Sequence, residues 1–159
     1  MKYPVFILLI AALLLAGCAP AISSPDQAAP QPPSVSTQPA QADGLTRMDS
    51  QGAISFDVTP LNLRNPDQSL LFNVTMDTHS VDLGMDLTPL ATLTTDTGLA
   101  VQATQWDTPT KGGHHVEGRL FFPSTKDSKS LLNGAKQLTL TIKNVDAPER
   151  TFVWELSAK

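Results

Sequence analysis

Period-two alternation of apolar and polar residues over 52–156 is the feature that most restricts the fold of this chain. Leu70, Phe72, Val74 and Met76, for example, occupy every second position of one run. Successive side chains of a strand point to opposite faces, so such runs predict antiparallel sheets with one packed and one solvated face. The sequence therefore predicts an all-β domain.

About seven such runs, separated by turn residues, are typical of an immunoglobulin-like sandwich. Asp96-Thr97-Gly98 separates two of them and is typical of a hairpin loop. Only 129–137 is left for a helical turn. We predict an antiparallel immunoglobulin-like sandwich of about seven strands, with an up-and-down barrel as the alternative. The sole tyrosine, Tyr3, and the sole cysteine, Cys18, lie outside these runs, so the likeness is to the architecture and not to antibody-type domains.

The first 18 residues have the pattern of an export signal. Lys2 precedes an unbroken apolar run at 5–15, which is shorter than the roughly 20 residues of a bilayer-spanning helix. Leu15-Ala16-Gly17-Cys18 follows and resembles the lipobox of bacterial lipoproteins at all four positions. The resemblance implies cleavage before Cys18, a diacylglyceryl group on its thiol and a lipid anchor in the cell envelope. Ala19, where some such proteins have Asp, implies the outer membrane if the cell is Gram-negative. A plain signal peptide with a chance cysteine is the alternative.

A tether is predicted between this signal and the alternating runs. Residues 19–44 contain six of the 13 prolines, and Ala, Gln and Ser supply most of the rest. Such a segment buries too little apolar surface to offset its ordering entropy, so we expect a disordered spacer. The predicted organisation is a signal peptide at 1–17, the lipidated cysteine and tether at 18–50, and a β-sandwich at 51–159.

Composition excludes several classes of protein. The 11 basic and 15 acidic residues give a formal charge of −4, which disfavours a nucleic-acid partner and also electrostatic attachment to anionic lipid. One cysteine cannot form an intramolecular disulfide. The membrane contact is therefore expected through the N-terminal lipid alone.

The three histidines fall in two short motifs that could lie at strand ends. One contains Asp77, His79 and Asp82, and the other is Gly-Gly followed by His114 and His115. Imidazole is a common zinc and copper ligand, so these five residues form a candidate metal site. Strict alternation opposes it, because adjacent strand residues face opposite ways unless the glycines bend the chain. The alternative is a half-buried His114, in phase with the apolar positions, and an exposed His115. A blue-copper centre is excluded, because its thiolate ligand would have to be the lipidation cysteine.

Aromatic residues offer the remaining candidates. Trp106, expected in the loop before Gly-Gly, could be a platform for a glycan or a core residue at the end of the sandwich. Phe121 could face a protein partner from the outer face, or belong to a strand buried on both sides. Trp154 alternates with other apolar residues and is predicted to lie in the core.

No catalytic motif is evident. The sequence has no Gly-x-Ser-x-Gly elbow, no His-Glu-x-x-His and no glycine-rich loop before a helix. We therefore expect no enzyme and no resident cofactor, apart from the hypothetical zinc or copper ion. The predicted function is a lipid-anchored cell-envelope protein whose sandwich is a non-catalytic binding or interaction module for an envelope protein or glycan. The alternatives are a metal-binding or metal-delivery lipoprotein and, more weakly, a hydrolase with an unrecognised site.

Overall fold

A computed structural model describes residues 44–156 of the chain. The predicted signal peptide, the lipidated Cys18 and the tether as far as residue 43 lie outside the described residues. The described strands are Arg47–Asp49 (β1), Ile54–Pro60 (β2), Ser69–Thr78 (β3), Ala91–Thr95 (β4), Ala100–Gln102 (β5), Gln105–Asp107 (β6), His115–Pro123 (β7), Thr125–Lys126 (β8), Lys129–Ser130 (β9), Gln137–Lys143 (β10) and Glu149–Glu155 (β11). Between residues 44 and 156 there is no apolar helix long enough to cross a membrane.

The strands form two antiparallel sheets and a small hairpin. The first sheet has the order β1-β2-β3-β7-β6, the second β11-β10-β4-β5, and β8 pairs with β9. Without β1, these are the orders ABED and GFCC′ of immunoglobulin-like sandwiches. The prediction of an all-β antiparallel sandwich is confirmed. The seven predicted strands are present. The four that the sequence did not reveal (β1, β6, β8 and β9) have only two or three residues, too few to show alternation. β5 also has three residues, but the Asp96-Thr97-Gly98 loop before it indicated its position.

The core lies between the inner faces of the two sheets. Phe72 packs edge-to-face on Phe122 with ring centroids 5.6 Å apart. Its ring also lies 5.3 Å from Trp154, which is fully buried as predicted. Segment 129–137, which the sequence left open for a helical turn, contains β9 and turns instead. Leu131 from this segment is buried in the same core.

Strand β1 joins the edges of both sheets. Its backbone pairs with β2 in the first sheet. The side chain of Arg47 donates from Nε to the carbonyl oxygen of Val153 in β11 at 2.8 Å, and the indole Nε1 of Trp154 donates to the Leu45 carbonyl at 2.5 Å. Strand β1 therefore lies before residue 51, where the predicted β-sandwich begins. A three-residue strand in a polar stretch has no visible period.

A buried arginine completes this junction. Arg150 of β11 is fully buried and forms an ion pair with Asp49 of β1, whose side chain is 15% exposed. Its guanidinium also donates to the carbonyl oxygens of Gln51 at 2.6 Å and Val145 at 3.2 Å. The same group lies 4.8 Å from the ring centroid of Phe56. Each of these contacts compensates part of the cost of burying a cation.

Candidate functional site

The two histidine motifs meet at one end of the first sheet. Strand β3 ends where its antiparallel neighbour β7 begins, and Asp77 is the partner of His115 in the last register pair. Pairing continues past the strands, because Thr78 N donates to the His114 carbonyl at 2.9 Å and Leu83 N to the Gly113 carbonyl at 3.0 Å. The motifs therefore lie at strand ends, as the sequence suggested, and face each other.

Asp77 and His115 form an exposed pair on the outer face of the sheet. Oδ1 of Asp77 lies 2.5 Å from Nδ1 of His115, and the two side chains are 55% and 63% exposed. The hydrogen bond and the charge of Asp77 raise the pKa of His115, and the charge of Glu117 adds to this effect. The pair fastens the start of β7 to the end of β3.

A second carboxylate holds the loop before β7. Oδ1 of Asp82 accepts a hydrogen bond from Gly113 N at 2.6 Å. Gly112 and Gly113 have φ values of 85° and 94°, a conformation that residues with a Cβ atom rarely adopt. A Cβ atom at Gly112 would also lie 2.8 Å from the same carboxylate oxygen. The glycine pair thus allows the backbone to wrap around Asp82.

The five predicted metal ligands are neighbours, but they do not form a ligand set. Among residues 44–156, no three His, Cys, Asp or Glu side chains are arranged to hold a metal ion. Asp77 is engaged with His115, and His79 and His114 are exposed. The interpretation of His114 as half-buried is wrong, because β7 begins one residue later and the alternation does not extend back to position 114.

Trp106 lies in edge strand β6 and not in a loop. It pairs with Leu120 of β7, and its half-buried indole packs against the core. The ring lies over Gly118, where a Cβ atom would approach Cη2 of Trp106 to 2.6 Å. Gly118 was not among the predicted site residues, although a glycine at an inward position of a strand is a known sign of such a close approach.

An open groove of about 450 Å³ runs beside Trp106. One wall is the loop that precedes β4, and the other consists of β6 and the loop that follows it. The lining residues are Leu83, Gly84, Met85, Asp86, Thr88, Thr104, Gln105, Trp106, Thr108, Thr110 and Lys111. A larger hollow of about 560 Å³ is lined by Asp67, Gln68, Ser69 and Leu71, with no aromatic side chain.

The groove and the histidine motifs share one loop, residues 108–114. Thr108, Thr110 and Lys111 line the groove, and the next residues of the loop are held by Asp82. The Thr108 hydroxyl lies 2.8 Å from the Thr110 carbonyl and 3.0 Å from that of Glu117. The hydrogen bonds of Thr108 and the bond from Gly113 N to Asp82 therefore fix the position of this groove wall.

The third aromatic candidate, Phe121, does not line the groove. Phe121 is half-buried on the outer face of the first sheet, opposite Leu71 of β3 and Gln105 of β6. Its side chain is neither fully exposed on the outer face nor buried in a core. The observed burial therefore lies between the two interpretations of the sequence, a contact for a protein partner and a strand buried on both sides.

The sandwich architecture does not identify a function, because unrelated proteins use it for many purposes. No family model, curated protein or solved structure matches this chain. Any functional conclusion therefore rests on the residues of the groove and of the loop 108–114.

Proposed function

We propose that this chain is a lipid-anchored cell-envelope protein whose sandwich is a non-catalytic binding module, with the groove beside Trp106 as its site. The lipobox-like Leu15-Ala16-Gly17-Cys18 supports the anchor, and the proline-rich segment after it supports a tether. In this arrangement the acyl chains hold the protein at the membrane.

The observation that carries the binding role is the construction of the groove. It combines a half-buried indole, Met85 and several polar side chains in one concave surface, and its volume is within the range of small-molecule sites. Its second wall is held by the hydrogen bond that Gly113 N donates to Asp82 and by the one that the Thr108 hydroxyl donates to the Glu117 carbonyl. A site with fixed walls loses little conformational entropy when it binds a ligand.

The anchor is tested by fractionation of cells that express the full chain. The unmodified protein is expected in the membrane fraction, labelled by an alkyne fatty acid. Cys18→Ser is expected to lose the label. Labelling of Cys18→Ser at the level of the unmodified protein would contradict the lipid anchor.

The groove is tested by photo-crosslinking in the same cells. p-Benzoyl-phenylalanine replaces Lys111, which lines the groove, or Lys143, which pairs with Glu149 on β11. A discrete adduct from position 111, absent from position 143 and lost in Trp106→Ala, is expected. Absence of any adduct at position 111, or equal adducts at both positions, would count against the groove as the binding site.

A further inference from the structure

The groove is polar, but its formal charge is zero. Seven of its eleven lining residues have polar side chains, and among these are one carboxylate, Asp86, and one ammonium, Lys111. A site for an anion or a cation needs an excess of one sign. A site for an apolar ligand would leave these polar groups without partners, which is costly once water is displaced. The composition favours an uncharged ligand with many hydrogen-bonding groups.

Two charged groups in the groove are available to such a ligand. Within residues 44–156, the side chain of Lys111 makes no hydrogen bond to another side chain or to the backbone. Oδ1 of Asp86 accepts from Thr88 N at 2.9 Å, and the Thr88 side chain also bonds to this carboxylate, whose remaining lone pairs can accept from a ligand. The groove therefore offers an ammonium donor and a carboxylate acceptor.

Trp106 adds an apolar surface next to these groups. Its indole is half-buried against Gly118, so the ring is fixed in place, and its remaining surface lines the groove. Sugar rings have an apolar face of C–H groups and a periphery of hydroxyls, so a fixed aromatic ring flanked by donors and acceptors complements them.

From this combination we infer that the groove binds a neutral saccharide, with Trp106 against a sugar ring and with Asp86 and Lys111 on its hydroxyls. The inference rests on the proposed binding function and specifies the chemical class of the ligand. The open shape of the groove accommodates a segment within a longer glycan chain.

The test uses the mature chain with Cys18→Ser and three neutral probes: maltotriose, cellotriose and chitotriose. Binding is followed by the indole N–H resonances. The Trp106 resonance is expected to shift saturably with at least one probe, at a Kd between about 10 μM and 1 mM. Trp154, whose Nε1 donates to Leu45, is the internal control and is not expected to shift.

Variants separate groove binding from general effects. Asp86→Ala is expected to weaken binding about tenfold, whereas Asp67→Ala, at an exposed aspartate outside the groove, leaves it unchanged. Spectra that stay unperturbed with all three probes at 10 mM (about −2.7 kcal/mol) would overturn the saccharide inference. The same spectra with a discrete crosslink from position 111 would leave the binding module standing with a ligand of another class, such as a neutral peptide. Loss of both signals would refute both proposals.

Discussion

Removing Asp49 is expected to destabilise the domain, because it leaves the fully buried Arg150 without its anion. Loss of one partner from a buried ion pair costs about 3–5 kcal/mol. Here Arg150 keeps the carbonyls of Gln51 and Val145, and Asp49 is partly exposed. We therefore expect Asp49→Ala to lower the free energy of unfolding by about 2–3 kcal/mol.

The assay is urea denaturation of the Cys18→Ser mature chain at neutral pH. With an m-value of about 1–3 kcal/mol/M, this loss lowers the midpoint by roughly 0.7–3 M, while m stays constant. Asp57→Ala is the matched control, since Asp57 lies on the neighbouring strand β2 and makes no side-chain hydrogen bond within residues 44–156. That variant is expected to change stability by less than about 0.5 kcal/mol.

A double variant isolates the physical cause. Arg150→Met removes the cation that Asp49→Ala strands, so the combined loss is expected to be at least about 1 kcal/mol smaller than the sum of the single losses. If the losses of the two single variants simply add in the double variant, or if Asp49→Ala loses less than about 0.5 kcal/mol, the unpaired charge of Arg150 does not determine the effect and the reasoning is refuted.

The pH dependence gives an independent check on the same pair. Burial by itself raises the pKa of Asp49, but hydrogen bonds from Gln51 and the contact with Arg150 outweigh it and lower the pKa. A lowered pKa means stability that is present above the unfolded value of about 3.9 and lost as the pH falls through the folded value. The difference between wild type and Asp49→Ala is therefore expected to shrink below about pH 4, and a difference that is unchanged at acidic pH would contradict the assigned cause.

Three further predictions concern β7 and the loop before it. The pKa of His115 is raised by Asp77. The contribution of this pair to the stability of the fold is therefore present below about pH 6.5 and is lost as the pH rises through the folded pKa. Asp77→Asn is expected to lower the pKa of His115 in an NMR titration, and an unchanged pKa would contradict the pairing. Gly118→Ala is expected to cost about 1–3 kcal/mol in urea denaturation, because its Cβ meets Trp106 and the backbone of Asp107; a neutral effect would show that the indole is loosely packed. Gly112→Ala places a Cβ atom at φ 85° and is expected to lower stability by about 1–3 kcal/mol, with amide shifts along the groove wall; shifts confined to the site of substitution would argue against a rigid loop.

Local patterns were sufficient for the main strands and for the core. Alternation identified the six strands of five or more residues, since each has enough residues to show its period and a single packed face. The hairpin loop Asp96-Thr97-Gly98 indicated the seventh, the three-residue β5. It also placed Trp154 in the core correctly. The pattern contained a signal for Arg150 as well, because this residue has the same parity as Phe152 and Trp154, but a charge at an inward position is understood only when its partner is known.

The sequence by itself determined the all-β sandwich, and the export signal remains a prediction. Only the tertiary structure decided how distant segments combine: Asp49 with Arg150, Asp82 with the glycine pair, and Trp106 with Gly118. These contacts join residues up to 101 positions apart. Periodicity reports the environment of one strand at a time, whereas a site depends on which strand ends the topology brings together. For that reason the histidines could be located at strand ends from the sequence, but the groove next to them could not.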